Sequence, residues 1–179
     1  NQDEGPRRAV PAVGDQPRGG DRRPQGLCQR GRAGPRAGPP RGARGDQPGR
    51  RPPERGFDES CGLMYSNDMW KYHPENPDYW GQWPLKFWEN GKVTIEEVTP
   101  DEQQHLTRWY TEHAVDFIRR HQDSAFLLYV PHSMPHVPLF CEDEYRGRSG
   151  KGLYWDVMLE LDWSIGQINN TLKDCGIDD

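Results

Sequence analysis

The spacing of apolar residues between positions 99 and 122 predicts an amphipathic helix. Apolar side chains recur there every three or four residues, which places them on one face of a helix. Thr99 suits the N-cap, Pro100 suits the first helical position, and Glu102 completes a Thr-x-x-Glu capping box. The face that we expect to pack on a core consists of Leu106, Trp109, Tyr110, Ala114, Phe117 and Ile118.

A second helix is predicted near the end of the sequence, over about residues 153–174. Cys175-Gly176 would end it, because glycine readily adopts the left-handed conformation that follows many helices. We expect its acidic residues Asp156, Glu160 and Asp162 on the exposed face. The inner face is expected to consist of Val157, Leu161, Ile165, Ile168 and Leu172.

Two segments have the patterns of strands. "KFWENGKVTIEEV" contains two β-rich runs around Asn90-Gly91, a pair suited to a type I′ turn, and so predicts a hairpin. "AFLLYV", residues 125–130, is a short continuous apolar run, as expected for a strand that is buried on both faces. Because helix, buried strand, loop and helix follow one another, the sequence predicts an α/β fold with helices packed on a sheet.

Two histidines follow the predicted buried strand directly. "VPHSMPHVPLF" places His132 and His136 four residues apart among three prolines, which predicts a rigid, non-helical loop. Sites in α/β folds collect at the carboxyl ends of strands, and an imidazole can bind a metal, transfer a proton or hold an anion. This loop is therefore a candidate site, although a purely structural role is the common one for a histidine in a Pro-rich loop.

Aromatic residues are concentrated in "MWKYHPENPDYWGQWPLKFW", residues 69–88. Tryptophan and tyrosine contribute large apolar areas to protein cores, so packing is our first interpretation of this segment. The alternative is that some of its tryptophans line a substrate cleft.

The composition of residues 1–55 differs from that of the rest of the chain. They contain 13 Arg, 10 Pro, 11 Gly and 5 Ala, and no aromatic residue. They carry 13 basic and 6 acidic side chains, whereas residues 56–179 carry 10 basic and 22 acidic ones. Such a segment buries too little apolar surface to offset its ordering entropy. We therefore divide the chain into a disordered segment, residues 1–55, and a folded domain, residues 56–179.

Three interpretations of residues 1–55 stay open. The first is a solvated linker. The second is a nucleic-acid-binding tail, since "RGRAGPRAG" and "RGARG" are similar to Arg/Gly-rich RNA-binding segments, but the aromatic residues that stack on bases are absent. The third is a GC-rich gene that has been translated out of frame. A nucleic-acid partner is therefore not our first expectation.

The sequence contains no apolar run long enough to span a membrane, and no signal peptide is visible. The chain begins at Asn1 rather than at Met, so we expect a fragment of a longer protein. The four cysteines, Cys28, Cys61, Cys141 and Cys175, form no Cys-x-x-Cys zinc pattern. We interpret them as free thiols and leave disulfide pairing open.

Three blocks between Gly56 and Asp179 resemble a known family in content and order. They are "RGFDESCGLMYSNDM", "FLLYVPHSMPHVPLF" and "YRGRSGKGLYWDVMLELDWSIGQI". Together they resemble the sulfatase family, in the arylsulfatase A-like branch of the alkaline-phosphatase-like superfamily. The resemblance implies a partial alkaline-phosphatase-like sandwich, in which helices flank a central sheet, and it implies a periplasmic, extracellular or lysosomal location.

The same resemblance implies hydrolysis of sulfate esters. In that family a formylglycine nucleophile attacks sulfur, while calcium, held by hard oxygen ligands, polarises the sulfate. Ser66 and His136 match the serine and histidine that contact the sulfate, so we predict both as substrate-binding residues. The structural alternative for Ser66 is an ordinary Ser-Asn-Asp turn.

The sequence also departs from the family pattern. It contains no Cys/Ser-x-Pro/Ala-x-Arg motif, and the nearest segment, Cys28–Arg32, has Arg30 where the family has Pro or Ala. Alignment of "GDQP", residues 45–48, places Arg41 and Ala43 at the family's lysine and histidine. We recognise no calcium ligands. The chain is therefore expected to be an inactive sulfatase fragment, and the alternative is a non-catalytic binding protein whose basic tail contacts nucleic acid or another polyanion.

Overall fold

The computed structural model describes residues 49–178. Disorder was predicted for residues 1–55; residues 1–48 of that segment, with Cys28 and "GDQP", lie outside the described range, and residues 49–55 lie within it. In chain order the structure contains a 3-10 helix (Pro52–Arg55), β1 (Cys61–Leu63), α1 (Pro77–Trp80), β2 (Phe87–Glu89), β3 (Lys92–Ile95), α2 (Pro100–His121) and α3 (Leu153–Asp174).

The three strands form one antiparallel sheet in the order β1-β2-β3. The predicted hairpin between β2 and β3 is confirmed. Asn90 and Gly91 have φ values of 46° and 80°, the left-handed values that a type I′ turn requires. The Asn90 side chain also accepts a 2.9 Å hydrogen bond from the Ser60 backbone N–H, so the turn is fastened to the segment that leads into β1.

Helix α2 confirms the predicted capping box and apolar face. The Thr99 N–H donates to Glu102 Oε2 at 2.8 Å, and Thr99 Oγ1 accepts from the Asp101 N–H at 3.3 Å. These two contacts satisfy donors at the start of the helix that have no partner within it. The buried side of α2 includes Leu106, Tyr110, Ala114, Phe117 and Ile118, which pack towards the sheet and α3.

Helix α3 has the predicted bounds, but its buried face is more polar than expected. Asp156 and Glu160 are only 2% and 0% exposed, so the prediction that they lie on the exposed face is wrong. Asp162 is exposed as predicted, whereas Ile165, expected on the inner face, is 54% exposed. Both carboxylates accept from backbone N–H groups of the preceding loop, with two hydrogen bonds to Asp156 and one to Glu160.

Residues 125–130 were predicted as a strand buried on both faces, and this prediction is wrong. The segment forms no strand within residues 49–178. Leu127 and Tyr129 are 57% and 58% exposed, whereas Phe126, Leu128 and Val130 are half-buried. Exposed and half-buried side chains alternate because the backbone is extended and the helices α2 and α3 lie on one side of it only.

The fold class is confirmed as α/β, with a small antiparallel sheet flanked by helices. One core lies between the sheet and α2 and includes Leu85, Phe87, Leu106 and Tyr110. The second lies where the loop before α3 packs on that helix, and it includes Met134, Cys141, Tyr145, Val157 and Leu161. Within residues 49–178 no helix is both long and apolar enough to cross a membrane.

Candidate functional site

A cavity of about 270 Å³ lies between the loop that follows β1 and the Pro-rich loop that follows residue 130. Ser66 and His136, the two predicted substrate-binding residues, both line it. The structure therefore brings together two residues that are 70 positions apart along the chain. Other polar residues on its wall are Asn67, Tyr110, His132 and Ser133. The binding role of Ser66 and His136 stays a prediction.

Ser66 lies in a tight turn. The Met69 N–H donates to the Ser66 carbonyl at 3.0 Å, and the Trp70 N–H donates to the Asp68 carbonyl at 2.9 Å. The turn chemistry expected of a Ser-Asn-Asp run is therefore present in the backbone. Because Ser66 also lines the cavity, the turn presents this residue to it.

Asn67 connects both walls of the cavity with helix α2. Its side-chain amide donates to the Pro138 carbonyl at 3.1 Å and to Gln103 Oε1 at 3.4 Å. Gln103 Nε2 donates in return to the Asn67 carbonyl at 2.7 Å. Asn67 and Gln103 are each 1% exposed, so these bonds form in the interior, where an unmade hydrogen bond is costly.

His136 is held by its own loop. Its backbone N–H donates to the Ser133 carbonyl at 3.2 Å, and its Nδ1 lies 2.6 Å from the Val137 carbonyl oxygen. A carbonyl oxygen can only accept, so Nδ1 carries the proton of this contact. Nε2 is consequently bare in the neutral ring and becomes a donor only when the imidazole is protonated.

His132 is the more enclosed of the two loop histidines. Its Nε2 lies 3.1 Å from Ser164 Oγ on α3, and Ser164 Oγ lies 2.6 Å from Thr111 Oγ1 on α2. Burial lowers the pKa of His132, so the ring is neutral near pH 7. Its Nδ1 has no hydrogen-bond partner within the described residues.

Tyr110 joins the floor of the cavity to the core. Its hydroxyl lies 3.0 Å from Ser133 Oγ, and its ring is stacked on Phe87 with the centroids 6.3 Å apart. Burial raises the pKa of Tyr110, so the hydroxyl stays protonated and can donate one hydrogen bond. A protonated hydroxyl beside a neutral imidazole leaves this side of the cavity uncharged.

Asn67, Gln103 and Ser164 are site-forming residues that the sequence analysis missed. A signal for Gln103 was present, since it precedes Leu106 by three positions and Tyr110 by seven, and so falls on the apolar face of α2. Ser164 likewise follows Leu161 by three positions on α3. A polar residue at a core position of a helix predicts a buried hydrogen bond, although it does not identify the partner.

The described residues do not form a metal site. Within residues 49–178 no group of three or more His, Cys, Asp or Glu side chains is arranged to hold a metal ion. The polar side chains of the cavity wall offer hydroxyls, imidazoles, an amide and the Cys61 thiol but no carboxylate, whereas calcium requires several oxygen ligands, usually with carboxylates among them. The residues that are described therefore do not fit the calcium expected from the family.

Comparison with known proteins identifies the family. The sulfatase family model matches residues 42–179, and the chain belongs to the sulfatase family. N-acetylgalactosamine-6-sulfatase of Rattus norvegicus is 31% identical over 143 residues, which cover 74% of this chain and 26% of that protein. Steryl-sulfatase of Homo sapiens is 37% identical over 75 residues, which cover 42% of this chain and 13% of that protein.

A solved structure gives the same fold. It is described as Ps i-CgsB in complex with k-i-k-neocarrahexaose, and it matches with a TM-score of 0.52 and 24% identity over 73% of this chain and 32% of that one.

The chain spans only about a quarter of the length of N-acetylgalactosamine-6-sulfatase and less of steryl-sulfatase. The family match begins at residue 42, and the division at residue 55 stays a prediction.

Proposed function

We propose that this chain binds the sulfate group of a sulfate ester in the cavity, with Ser66 and His136 as its direct contacts. The observation that carries the proposal is that both residues line one cavity of about 270 Å³. A hydroxyl and a protonated imidazole both donate hydrogen bonds, which suits a group whose outer atoms are oxygens with negative charge. Membership of the sulfatase family supports the choice of sulfate over other anions.

The protonation of His136 decides how strongly it can hold an anion. Nδ1 is occupied by the Val137 carbonyl, so only Nε2 is left to face a ligand. A neutral ring would present a lone pair there, which repels sulfate oxygens, and a protonated ring would present a charged donor. The proposed role of His136 therefore requires the imidazolium form.

Hydrolysis by this chain is not part of the proposal. The family's formylglycine nucleophile requires a motif that the 179 residues do not contain, and the described residues do not fit calcium. Where they are present, the formylglycine nucleophile and the calcium ion make the largest contributions to catalysis. We therefore propose that the chain binds sulfate esters without turning them over. The location expected from the family stays a prediction.

Calorimetric titration of the full chain with 4-nitrophenyl sulfate tests the proposal. We expect Ser66→Ala and His136→Gln each to weaken binding by roughly tenfold, because each removes a hydrogen bond to a charged group. Ser124→Ala and His121→Gln are matched controls, since neither residue lines the cavity. 4-Nitrophenol, which lacks the sulfate, should not compete.

Two results would contradict the proposal. Equal affinity of the Ser66 and His136 variants and the unaltered chain would show that sulfate binds elsewhere or not at all. Release of 4-nitrophenol from 4-nitrophenyl sulfate, abolished in both variants, would show that the chain is an active hydrolase and would overturn binding without turnover.

A further inference from the structure

An aromatic surface lies shortly after Ser66 in the chain, and the sulfate-binding proposal does not use it. Tyr79 and Trp83 are 54% and 53% exposed, and Trp80 lies between them in the sequence and is half-buried. The ring centroids of Tyr79 and Trp80 are 4.9 Å apart, and those of Tyr79 and Trp83 are 5.4 Å apart. We call these three contacting rings the aromatic platform.

The backbone of the platform is fixed by local hydrogen bonds. The Trp83 N–H donates to the Trp80 carbonyl at 3.1 Å, and the Gly81 N–H donates to the Pro77 carbonyl at 2.7 Å. His73 stacks on Trp80 with ring centroids 6.0 Å apart. Its Nδ1 accepts from the N–H groups of Glu75 and Asn76 at 3.1 Å each. The rings are therefore held in place before any ligand arrives.

A continuous run of contacts links the platform with the cavity. After the Ser66 turn, the Trp70 ring packs edge-on against Phe140, with centroids 5.9 Å apart, at the end of the loop that carries His136. The His73 N–H then donates to the Trp70 carbonyl at 3.0 Å, and the His73 ring stacks on Trp80. These contacts connect the platform with Trp70, which follows the Ser66 turn, and through Trp70 with Phe140, which follows the His136 loop.

The size of the cavity requires most of a large substrate to lie outside it. Pockets that enclose a drug-sized ligand measure roughly 300–1,000 Å³. At about 270 Å³ the cavity has room for a sulfate group and part of the ring that carries it. Further rings of a polymeric substrate would extend over the protein surface, and the platform is an exposed aromatic surface that contacts through His73 and Trp70 connect with the segment after Ser66.

We propose that the aromatic platform binds a sugar ring of a sulfated oligosaccharide whose sulfate group occupies the cavity, a proposal that rests on the sulfate-binding function above. The C–H face of a pyranose ring is apolar and flat, so it packs on the face of an exposed indole or phenol ring. The side chains of Asp78 and Gln82 lie in the same short segment and carry hydrogen-bonding groups that suit sugar hydroxyls.

A protein partner fits the platform less well. Three half-exposed aromatic side chains offer about 300 Å² of surface, whereas a stable protein interface buries about 800 Å² on each partner. Between Lys71 and Pro84 the chain contains no Val, Ile, Leu, Met or Ala that would extend the apolar patch. A small patch of rings among polar side chains matches one or two sugar rings in size.

Calorimetry of the full chain with hexasaccharides from chondroitin sulfate, heparin and a sulfated galactan tests the proposal. At least one should bind roughly tenfold more tightly than 4-nitrophenyl sulfate, because it adds ring stacking to the sulfate contact. Trp83→Ala and Tyr79→Ala should each remove most of that gain and leave the affinity for 4-nitrophenyl sulfate unchanged. Trp83→Phe should keep most of the gain, since a ring is retained.

Trp155→Ala is the matched control. Trp155 is 51% exposed and forms a T-shaped pair with Tyr154 on α3, so it has the same chemistry outside the platform. If no hexasaccharide binds more tightly than 4-nitrophenyl sulfate, or if Trp83→Ala binds as tightly as the unaltered chain, the platform proposal is overturned. Self-association in sedimentation velocity that Trp83→Ala abolishes would likewise overturn it, in favour of an interface between copies.

The two proposals fail in different ways. If the sulfate site is wrong, 4-nitrophenyl sulfate does not bind, but oligosaccharide affinity still depends on Trp83. If the platform alone is wrong, 4-nitrophenyl sulfate binds in a manner that depends on Ser66 and His136, and the platform variants have no effect on any ligand.

Discussion

Asn67 and Gln103 form a closed pair of hydrogen bonds, at 2.7 Å and 3.4 Å, that fixes the loop carrying Ser66 to helix α2. The Asn67 amide also donates to the Pro138 carbonyl at 3.1 Å. The positions of Ser66 and His136 therefore depend on Asn67, whose amide also donates to the His136 carbonyl at 3.5 Å. This contact explains how a turn and a Pro-rich loop, far apart in sequence, come to line one cavity.

The first prediction concerns Gln103→Leu. The change leaves the Asn67 carbonyl and side-chain amide without their partner in the interior, so we expect a loss of about 1–3 kcal/mol in the free energy of unfolding. The Ser66 loop should also lose its position, and the affinity for 4-nitrophenyl sulfate should fall several-fold. Urea unfolding and calorimetric titration measure the two effects separately.

Gln104→Leu is the control for this change, because Gln104 is the neighbouring residue on the same helix and its side chain lies 3.4 Å from His105 Nε2. We expect it to leave sulfate affinity unaltered. A Gln103→Leu variant that is less stable but binds 4-nitrophenyl sulfate normally would limit Gln103 to a structural role and would contradict the positioning effect.

The second prediction concerns the pH dependence of sulfate binding. His136 Nε2 becomes a donor only when the ring is protonated, because Nδ1 is engaged with the Val137 carbonyl. Binding of 4-nitrophenyl sulfate should therefore be tighter at about pH 5.5 than at about pH 8, because a neutral ring offers the sulfate no donor at Nε2. The sulfate ester keeps its charge throughout that range.

Two variants test whether His136 is the source of the pH dependence. In His136→Gln the affinity should be lower and nearly independent of pH, because the amide does not titrate there. In His132→Gln the pH dependence should persist, since burial lowers the pKa of His132 and keeps this ring neutral. Binding of constant strength across the range in the unaltered chain would refute the proposed charge state of His136.

Asp156 and Glu160 lie one turn apart on α3 and have opposite pKa shifts. Hydrogen bonds from Ser149 and Gly147 lower the pKa of Asp156, because they stabilise its charged form. Burial raises the pKa of Glu160 to about 8, and the single hydrogen bond from the Glu142 N–H does not offset this cost. Near neutral pH, Asp156 is therefore ionised and Glu160 is mostly protonated.

The third prediction is that Glu160→Gln flattens the pH dependence of stability. The folded-state pKa of Glu160 lies above its ordinary value of 4.5. The contribution of Glu160 to the free energy of unfolding is therefore complete below about pH 4.5, and it is lost as the pH rises towards about 8. Glutamine keeps an oxygen for the Glu142 N–H and has no charge to bury. Above about pH 8 the variant should be more stable than the unaltered chain, by a few kcal/mol at most.

Urea midpoints at about pH 5.5, 7 and 8.5 measure this difference. Asp156→Asn is the informative counterpart, because a lowered carboxyl pKa contributes stability above its ordinary value of 3.8 that disappears as the pH falls. It should destabilise the chain at neutral pH and have less effect in acid. Parallel pH profiles for Glu160→Gln and the unaltered chain would show that Glu160 does not titrate in this window.

The sequence predicted those elements whose signals are local. The capping box at Thr99 and the Asn90-Gly91 turn each depend on residues within four positions, and both are present in the structure. The resemblance of several blocks, in family order, also pointed to Ser66 and His136, which line one cavity and whose binding role stays a prediction. The confirmed elements are therefore those that neighbouring residues determine.

The sequence could not predict features that depend on which elements meet in space. Glu160 has the same helical spacing as the buried Val157 and Leu161, but an acidic residue is ordinarily assigned to the exposed face. Its burial depends on the loop that ends at Glu142, which no periodicity reveals. In the same way, the composition of residues 125–130 indicates a strand, but a strand also requires a neighbour with which to pair.

The last prediction follows from the exposed side chains of Leu127 and Tyr129. They belong to an extended segment that pairs with no strand within residues 49–178, and both are more than half exposed. Extended backbone with apolar side chains is a template for pairing with another chain. The double variant Leu127→Lys, Tyr129→Lys should therefore aggregate more slowly, as measured by light scattering, with little change in its thermal midpoint.

Trp155→Lys is the control, because Trp155 is similarly exposed but lies on helix α3. It should not slow aggregation, since the backbone groups of a helix are already hydrogen-bonded within the helix. Equal aggregation rates for the double variant and the unaltered chain would show that copies do not associate through the extended segment 125–130.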